Sequence, residues 1–349
     1  MKLPQKFIQL PFAFDPERLK EEALQFGLED WRDHPQGTVN NWALPLIAAN
    51  GDPDNDTVKG PMRPTPFLER CPYLQQILAR LNSVWGRTRF MKLGEGAEAT
   101  AHVDINYYWM HHVRVHIPLV TFPDVRFFCG GEERHMAVGE CWIFNTWELH
   151  NAINTCSGER IHLVADTVGS PDFWDMVKSS MTEPFTPRAI PFVAGAVLPL
   201  TCESMNFSVV MHPGELESSL GFLLREARNG KASDATLLQM ESEMQRLFRA
   251  WSALWATYGE CADGFPHYVR AQNDMRLRME KLAGLIHLPN GLELTNNIVR
   301  SIFPAMLNPE LADNPLPGEG MPAKVKADLP AAPNTLDKPL AARPASTTA

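Results

Sequence analysis

The sequence lacks three features that would each have indicated a function class. Its 349 residues contain six cysteines without a CxxC pair or the dense spacing of secreted disulfide-rich proteins. Positive charge is in deficit, with 32 Lys and Arg against 41 Asp and Glu, which argues against nucleic-acid binding through a general basic surface. No stretch approaches the ~20 apolar residues that span a bilayer, and residues 1–15 lack a long apolar core. A reducing cytoplasm is therefore the expected compartment.

What is present is the composition of an ordinary globular protein. Hydrophobic residues make up 44% and charged residues 21% of the chain. Alternating apolar patterns and turn residues predict short strands, and 3.6-residue periodicity predicts helices. The predicted strands are 6–10, 41–46, 88–93, 101–109, 113–120 and 142–144. The predicted helices of the first half are one from about residue 15, 72–85 and 172–181. Closely spaced short strands are typical of a sandwich or barrel.

The second half of the chain changes character after residue 183. Residues 184–212 are rich in Pro and apolar residues and are interpreted as a linker that packs on the core. Helices are predicted at 215–228, 233–257, 266–286 and 292–303, the last ended by Pro304. We therefore expect a β domain at 1–183, a helical extension at 213–310 and a disordered Pro/Ala-rich tail at 311–349. The apolar stripe of 233–257 is core or interface, which leaves room for a homodimer or a partner protein.

The motif with most chemical content is His102-Val103-Asp104, together with His150. Two histidines and one carboxylate form the facial triad that binds Fe(II) on one side and leaves the other side open. In an extended strand, residues i and i+2 point to the same side, so His102 and Asp104 can share one metal ion. The pair alone is a weak signal, because His-x-Asp occurs by chance in many proteins.

Two arginines in apolar strands strengthen the signal for a metal site. Arg114 alternates with His116 in the strand 113–120, and Arg160 begins the apolar run 160–166. A buried arginine is costly unless an anion pairs with it, and its planar guanidinium matches a carboxylate bidentately. The sequence therefore predicts a buried acidic ligand near a metal ion.

Residues 87–174 together resemble the aspartyl/asparaginyl β-hydroxylase family of Fe(II)/2-oxoglutarate oxygenases, in particular the layout of its bacterial branch that includes proline cis-4-hydroxylase. The residues that carry the resemblance are His102-Val103-Asp104, Arg114-Val115-His116 with Pro118-Leu119, Gly139-Glu140-Cys141-Trp142-Ile143-Phe144, His150, and Arg160-Ile161-His162-Leu163-Val164-Ala165-Asp166. Some members lack the carboxylate ligand, whereas this chain has Asp104. Some have a Ser on the strand before the first His, where this chain reads Arg89-Phe90-Met91-Lys92-Leu93.

The resemblance implies a fold, a ligand set and a reaction. The fold is a double-stranded β-helix, or jelly roll, with flanking helices and a C-terminal helical extension. His102, Asp104 and His150 would be the iron ligands, Arg160 would hold the distal carboxylate of 2-oxoglutarate, and Arg114 with His116 would help to seat this co-substrate. The reaction would be hydroxylation of an unactivated C–H bond of an amino acid, free, carrier-bound or in a peptide. O₂ would be consumed, and 2-oxoglutarate would be converted to succinate and CO₂.

Several alternatives stay open at this point. The substrate could be Asp or Asn side chains of a protein, the chain could be a non-catalytic cupin-like binding protein, or the ligands could hold the zinc of a hydrolase, which would leave Arg160 and Arg114 without a purpose. Arg114 could instead pair with a buried acid such as Glu140. His162 could line the cavity or make a structural hydrogen bond, and Asp166 is expected to play a supporting role. Four further residues are candidates for the substrate pocket: Trp42, Asn106, Tyr107 and Trp109.

Overall fold

The computed structural model describes residues 1–34 and 39–312, and the strands of this part of the chain form three sheets. In chain order the strands are β1 (Phe7–Leu10), β2 (Phe12–Phe14), β3 (Arg32–Asp33), β4 (Asn41–Ala49), β5 (Met62–Pro64), β6 (Val84–Leu93), β7 (Glu98–His102), β8 (Val113–Val120), β9 (Arg126–Cys129), β10 (Glu132–Arg134), β11 (Cys141–Phe144), β12 (His150–Ile153), β13 (Arg160–Gly169), β14 (Arg188–Ile190) and β15 (Thr201–Cys202). The first sheet has the order β1-β11-β8-β13-β6-β4-β3, with β5 beside β4 and β15 beside β6. The second has the order β10-β9-β12-β7, and β14 pairs with β2 in the third.

The two larger sheets are antiparallel along their main paths and pack against each other as a jelly roll. Side chains from both sheets meet in one apolar cluster, which includes Phe7, Leu93, Phe127, Phe144 and Ala152. Strands that are adjacent in a sheet are seldom consecutive in the chain; β13, for example, lies between β6 and β8. The fold is therefore the predicted double-stranded β-helix with flanking helices.

The helices lie outside this β core. In chain order they are α1 (Pro16–Leu24), α2 (Pro66–Glu69), α3 (Pro72–Arg80), α4 (Tyr108–His111), α5 (Pro171–Thr182), α6 (Pro213–Arg228), α7 (Asp234–Tyr258), α8 (Phe265–Met279), α9 (Leu294–Asn297) and α10 (Phe303–Met306). A π-helical turn at Ile298–Ile302 joins α9 to α10, and short 3₁₀ segments lie at Leu28–Asp30, Ala262–Gly264, Glu280–Leu282 and Pro309–Leu311. Helices α1, α3 and α5 cover the outer face of the first sheet, through residues such as Leu19, Ile77 and Phe173.

The C-terminal helices share a second apolar cluster with the β core. Trp109 and Trp147 from the core are buried in it beside Leu220 of α6 and Trp251 of α7. The contact also has a polar part, because the Glu226 carboxylate accepts hydrogen bonds from Trp147 Nε1 at 3.1 Å and from Lys2 Nζ at 2.8 Å. These helices are thus fixed to the β core by buried apolar area and by a paired charge.

Several predicted elements are wrong in their bounds. The strand predicted at 101–109 ends at His102, because the next residues leave the sheet and α4 begins at Tyr108. The helix predicted at 72–85 ends at Arg80, and Trp85 lies in β6. Pro304 does not end the last helix, which continues to Met306; the π-helical turn before it changes the hydrogen-bond spacing where proline supplies no N–H.

Residues 184–212 contribute strands as well as connecting segments. Arg188–Ile190 pairs in parallel with Phe12–Phe14, and Thr201–Cys202 pairs in parallel with β6. The predicted disordered tail at 311–349 lies outside the described residues, except for residues 311 and 312. Among the described residues, none of the helices combines the length and the hydropathy that crossing a membrane requires.

Candidate metal centre

The candidate ligands come from one edge of the second sheet. His102 is the last residue of β7 and His150 the first of β12, and the two lie opposite each other in the antiparallel pair, with ring centroids 4.3 Å apart. Asp104 follows in the segment after β7, and its backbone N–H donates to the Thr146 carbonyl at 3.1 Å. Strand pairing therefore places both histidines, and a single backbone hydrogen bond places the aspartate.

The three side chains converge as the sequence predicted, although Asp104 is not in a strand. One ligand atom from each of the three lies within 4.8 Å of the others. His102 Nε2 is 3.7 Å from Asp104 Oδ1, and His150 Nε2 is 3.9 Å from Asp104 Oδ2. This is the donor set and spacing of a facial triad, with two imidazole nitrogens and one carboxylate on one side of an ion.

Backbone carbonyls fix how the two imidazoles point. His102 Nδ1 is 2.7 Å from the Thr100 carbonyl, and His150 Nδ1 is 2.9 Å from the Glu148 carbonyl. A carbonyl can only accept, so each Nδ1 carries the proton and each Nε2 presents its lone pair. Metal-binding histidines are typically oriented in this way by the hydrogen bond of their other nitrogen.

Two buried atoms at the centre of the cluster make no hydrogen bond to the described residues. They are His150 Nε2 and Asp104 Oδ2. Burial, more than any neighbouring charge, lowers the pKa of His150 to about 4. Burial opposes the ionisation of Asp104, but Arg114 and the two histidines outweigh it, so the pKa of Asp104 is lowered. A neutral imidazole and an ionised carboxylate are the protonation states that a metal ion requires, so the residues fit one.

Arg114 supports the carboxylate side of the cluster. Its Nη1 lies 3.4 Å from Asp104 Oδ2, its Nε donates to Asp166 Oδ1 at 3.1 Å, and its guanidinium lies 4.1 Å from the centre of the Trp109 ring. Arg114 is therefore paired with buried acids, as in the alternative to a co-substrate role. Glu140 is not among them, because its carboxylate accepts from the Ala137 N–H and from an indole N–H. Asp166 thus has the supporting role that was expected.

Arg160 is buried without an anionic partner. Among residues 1–34 and 39–312 it makes no ion pair; one Nη donates to His162 Nδ1 at 2.7 Å, and its Nε has no hydrogen-bond partner. Burial alone lowers its pKa to about 9. His116 is also buried, with both ring nitrogens unpaired, and burial followed by the charge of Arg160 holds its pKa well below the usual range. Arg160 is therefore a buried cation without an acid partner among the described residues, and it lies beside the neutral imidazoles of His116 and His162.

One cavity is lined both by Arg160 and His116 and by the candidate metal ligands. It has a volume of about 100 Å³ and is lined by His102, His150, Arg114, His116 and Arg160 among others. A second cavity of about 180 Å³ shares His102 and Arg114 with it. A dicarboxylate that contacted the ligand cluster at one end could therefore reach the Arg160 guanidinium at the other.

The predicted pocket residues divide into two groups. Trp109 lines the second cavity and, with Asn106, a third of about 310 Å³. Within the described part of the chain, Trp42 and Tyr107 line none of these three cavities: Trp42 lies beside Lys92, and the Tyr107 hydroxyl bonds to Glu215.

Sequence reasoning missed Arg87 and Arg89, which line the second cavity with Asp56. Their signal was available, because they alternate in an apolar strand just as Arg114 and His116 do. The strand was predicted only from residue 88, which left Arg87 outside it. Asp56 lies in a polar loop and carried no such signal.

Part of the chain is similar to known proteins. Residues 17–169 match the sequence model of the family described as Aspartyl/Asparaginyl beta-hydroxylase. No curated protein sequence matches the chain. Among solved structures, a 2OG-Fe(II) oxygenase-family oxidoreductase from Burkholderia pseudomallei is 16% identical, with a TM-score of 0.35, over 47% of this chain and 84% of that one. A prolyl-4-hydroxylase from Pseudomonas putida is 13% identical, with a TM-score of 0.32, over 47% of this chain and 92% of that one.

The structural scores are low, and the family match covers less than half of the chain. The matched range contains every candidate metal ligand as well as Arg114, His116 and Arg160. Over residues 17–169 this chain is therefore similar to the aspartyl/asparaginyl β-hydroxylase family.

Proposed function

We propose that the protein is an Fe(II)- and 2-oxoglutarate-dependent dioxygenase that hydroxylates an unactivated C–H bond of an amino acid, free, carrier-bound or in a peptide. The observation that supports it most is the convergence of His102, Asp104 and His150, whose ligand atoms lie within 4.8 Å of one another. His150 Nε2 and Asp104 Oδ2 also make no hydrogen bond among the described residues. Bound Fe(II) would supply the activation of O₂ and the oxidation of the C–H bond.

The residues around the ligands have separate tasks in this proposal. The Thr100 and Glu148 carbonyls hold the two imidazoles with Nε2 facing the ion. Arg114 keeps Asp104 ionised and fixes its orientation, and Asp166 in turn fixes Arg114. The apolar residues Phe127 and Phe144 form edge-on contacts with His116 and limit the entry of water on that side.

The co-substrate site follows from the charges. 2-Oxoglutarate carries a carboxylate at each end, and Arg160 is a buried cation without an anion among the described residues. In this proposal the distal carboxylate of 2-oxoglutarate pairs with Arg160 and accepts a hydrogen bond from one ring N–H of His116. Such a charge-assisted pair fixes the orientation of the keto acid, and its planar geometry favours a carboxylate over other anions. Oxidation of the substrate would then be coupled to decarboxylation of 2-oxoglutarate to succinate and CO₂.

The direct test is an anaerobic titration of the metal-free protein with Fe(II) and then 2-oxoglutarate. We expect the visible charge-transfer band that a chelated keto acid gives with ferrous iron. Replacing 2-oxoglutarate with succinate, which lacks the keto group, is the matched control and should give no band. If the protein binds neither ion nor keto acid, the proposal is wrong and a non-catalytic cupin-like role is favoured.

The substrate class needs its own experiment. Succinate release should be measured with the iron-loaded protein against a panel of free amino acids and short peptides that contain Pro, Asp or Asn. A free amino acid that stimulates release supports the proposal as stated, whereas stimulation only by Asp- or Asn-containing peptides would favour a hydroxylase of protein side chains. The cytoplasm, which supplies Fe(II) and 2-oxoglutarate, is the compartment that this function fits.

A further inference from the structure

Two arginines beside the metal centre share one partly exposed acid. Arg87 and Arg89 are two residues apart in β6 and point to the same face of the sheet. Arg87 Nη1 lies 3.2 Å and Arg89 Nη1 3.0 Å from the same Asp56 oxygen, Oδ1. Asp56 belongs to the loop between β4 and β5, and its side chain is 43% exposed, compared with 12% for Arg87 and 7% for Arg89.

This arrangement leaves part of the hydrogen-bonding capacity of the two arginines unused. Arg87 Nε is buried without a hydrogen-bond partner among the described residues, and the nearest carboxylate oxygen, of Asp166, is 3.9 Å away. Burial, followed by repulsion from Arg87, lowers the pKa of Arg89 to about 9. A buried arginine is stable when its donors are paired, so this pair, in which Arg87 Nε is unpaired among the described residues and the shared acid is on a loop, can accept a better-placed carboxylate.

The pair lines several cavities, and Arg89 also lines the 100 Å³ cavity that contains His150 and Arg160. Arg87, Arg89 and Asp56 line the 180 Å³ cavity that also contains His102 and Asp104. Arg87 and Asp56 also line the larger chamber of about 310 Å³. The apolar and aromatic part of the chamber wall consists of Val58, Tyr108, Trp109, Phe207, Pro304 and Ala305. Three of these wall residues come from beyond residue 200, so the segments that follow the β core enclose the chamber with it.

We propose that Arg87 and Arg89 bind a carboxylate group of the substrate, and that Asp56 occupies this subsite until the substrate displaces it. The remainder of the substrate then lies in the 310 Å³ chamber, with its reacting carbon toward His102 and Asp104. The inference rests on the proposed function only for the reaction that the substrate undergoes. The anion subsite is inferred from the arginine pair alone.

The choice of a carboxylate follows from what already occupies the subsite. The side chain of Asp56 is a carboxylate, and it contacts both guanidiniums through one oxygen, so only part of their hydrogen-bonding capacity is used. A ligand carboxylate can use both of its oxygens on the two planar guanidiniums. Because Asp56 is carried by an exposed loop, its displacement leaves the strands of the β core in place.

The test measures carboxylate binding to the metal-free protein by calorimetry, without 2-oxoglutarate, so that it does not depend on iron. The probes are acetate and three acid and amide pairs: leucine and leucinamide, proline and prolinamide, phenylalanine and phenylalaninamide. Asp56→Asn should bind the acids about fivefold more tightly than the unmodified protein, because a competing ion pair is removed. Asp54→Asn, an exposed acid in the same loop that pairs with Arg32, is the control and should change nothing.

The arginines are tested in the Asp56→Asn protein. Arg87→Lys keeps a positive charge but loses the planar fork, and Arg89→Gln removes the charge; each should abolish the gain in acid binding and leave the weak amide binding unchanged. Arg63→Gln, an exposed arginine outside the site, is the control. If Asp56→Asn binds no carboxylate more tightly, or if it still does so after Arg87→Lys, the inference is wrong. The Fe(II) and 2-oxoglutarate titration can succeed in either case, so the two proposals fail separately.

Discussion

His102 and His150 lie directly opposite each other in the β7–β12 pair, with ring centroids 4.3 Å apart, although 47 residues separate them in the chain. Each ring donates Nδ1–H to a carbonyl of its own strand region, so the free nitrogens of both face Asp104. The register of one antiparallel pair thus decides whether a metal site exists. Any one-residue slip would turn one imidazole to the opposite side of the sheet.

The first prediction concerns these ligands. His102→Ala and Asp104→Ala should each abolish substrate-dependent succinate release, because the remaining two ligands cannot hold the ion firmly. Iron content after anaerobic loading, measured by mass spectrometry, should fall in parallel. His135→Ala is the matched control, since His135 lies outside the cluster and its Nδ1 contacts the Val125 carbonyl. Full turnover in both ligand variants would refute the assignment.

The second prediction concerns Arg160. Arg160→Met should raise the 2-oxoglutarate concentration needed for half-maximal rate by about ten- to a hundredfold, since a hydrogen-bonded charge pair contributes ~1.5–3 kcal/mol. The same variant should be no less stable than the unmodified protein when 2-oxoglutarate is absent, because it removes a buried cation that has no acid partner among the described residues.

The decisive measurement for Arg160 is thermal unfolding with and without 2-oxoglutarate. The co-substrate should stabilise the unmodified protein, as any ligand of the folded state does, and should leave Arg160→Met nearly unchanged. Arg126→Met, which changes a partly exposed arginine on β9, should behave like the unmodified protein. An equal stabilisation of Arg160→Met would remove this residue from the site.

The local signals of the sequence were sufficient for much of the fold and of the site. The strand predicted at 113–120 coincides with β8, because alternating Val and Ile with a buried face leave little choice of conformation. The pairing of His102 with His150 was predicted only through the family resemblance, since spacing along the chain does not give strand register. The sequence shows that a buried arginine such as Arg160 needs an anionic partner, but it does not show which group that partner is.

Where the sequence misled, tertiary contacts prevailed over local preference. Residues 103–109 include Val, Ile, Tyr and Trp and favour a strand, but the aromatic side chains Tyr108 and Trp109 are buried against the C-terminal helices, and α4 turns them there. Gly86 shows the same limit: a Cβ at this position would lie 2.3 Å from the Tyr108 hydroxyl oxygen. Neither contact has a signature within a short window of sequence.

The third prediction is a pH dependence of stability. Burial, and after it the charge of Arg160, holds the pKa of His162 well below its ordinary value of 6.5. Below pH 6.5 the unfolded chain therefore binds a proton that the folded protein does not, and stability falls as the pH falls. One such group contributes ~1.4 kcal/mol per pH unit.

His162→Gln removes this titration while its side-chain oxygen can still accept from Arg160. Relative to the unmodified protein, its free energy of unfolding should therefore rise steadily as the pH is lowered from 6.5 to 5. Urea unfolding of the metal-free protein at several pH values measures the difference. His287→Gln, at an exposed position, should run parallel to the unmodified protein, and a parallel curve for His162→Gln as well would contradict the buried neutral state.

The fourth prediction concerns the attachment of the C-terminal helices. Glu226 of α6 accepts hydrogen bonds from Trp147 Nε1 and Lys2 Nζ, and its own side chain is 8% exposed. Glu226→Ala leaves the buried indole N–H without an acceptor, which should lower the free energy of unfolding by ~1–3 kcal/mol. Glu217→Ala, at an exposed position of the same helix, should have little effect. Helix α10 shares an apolar cluster with α6 and walls the 310 Å³ chamber through Pro304 and Ala305. We therefore expect Glu226→Ala to weaken substrate binding more than 2-oxoglutarate binding, whose residues lie in the β core. Equal losses for both ligands would show that the helices support the whole site rather than the chamber alone.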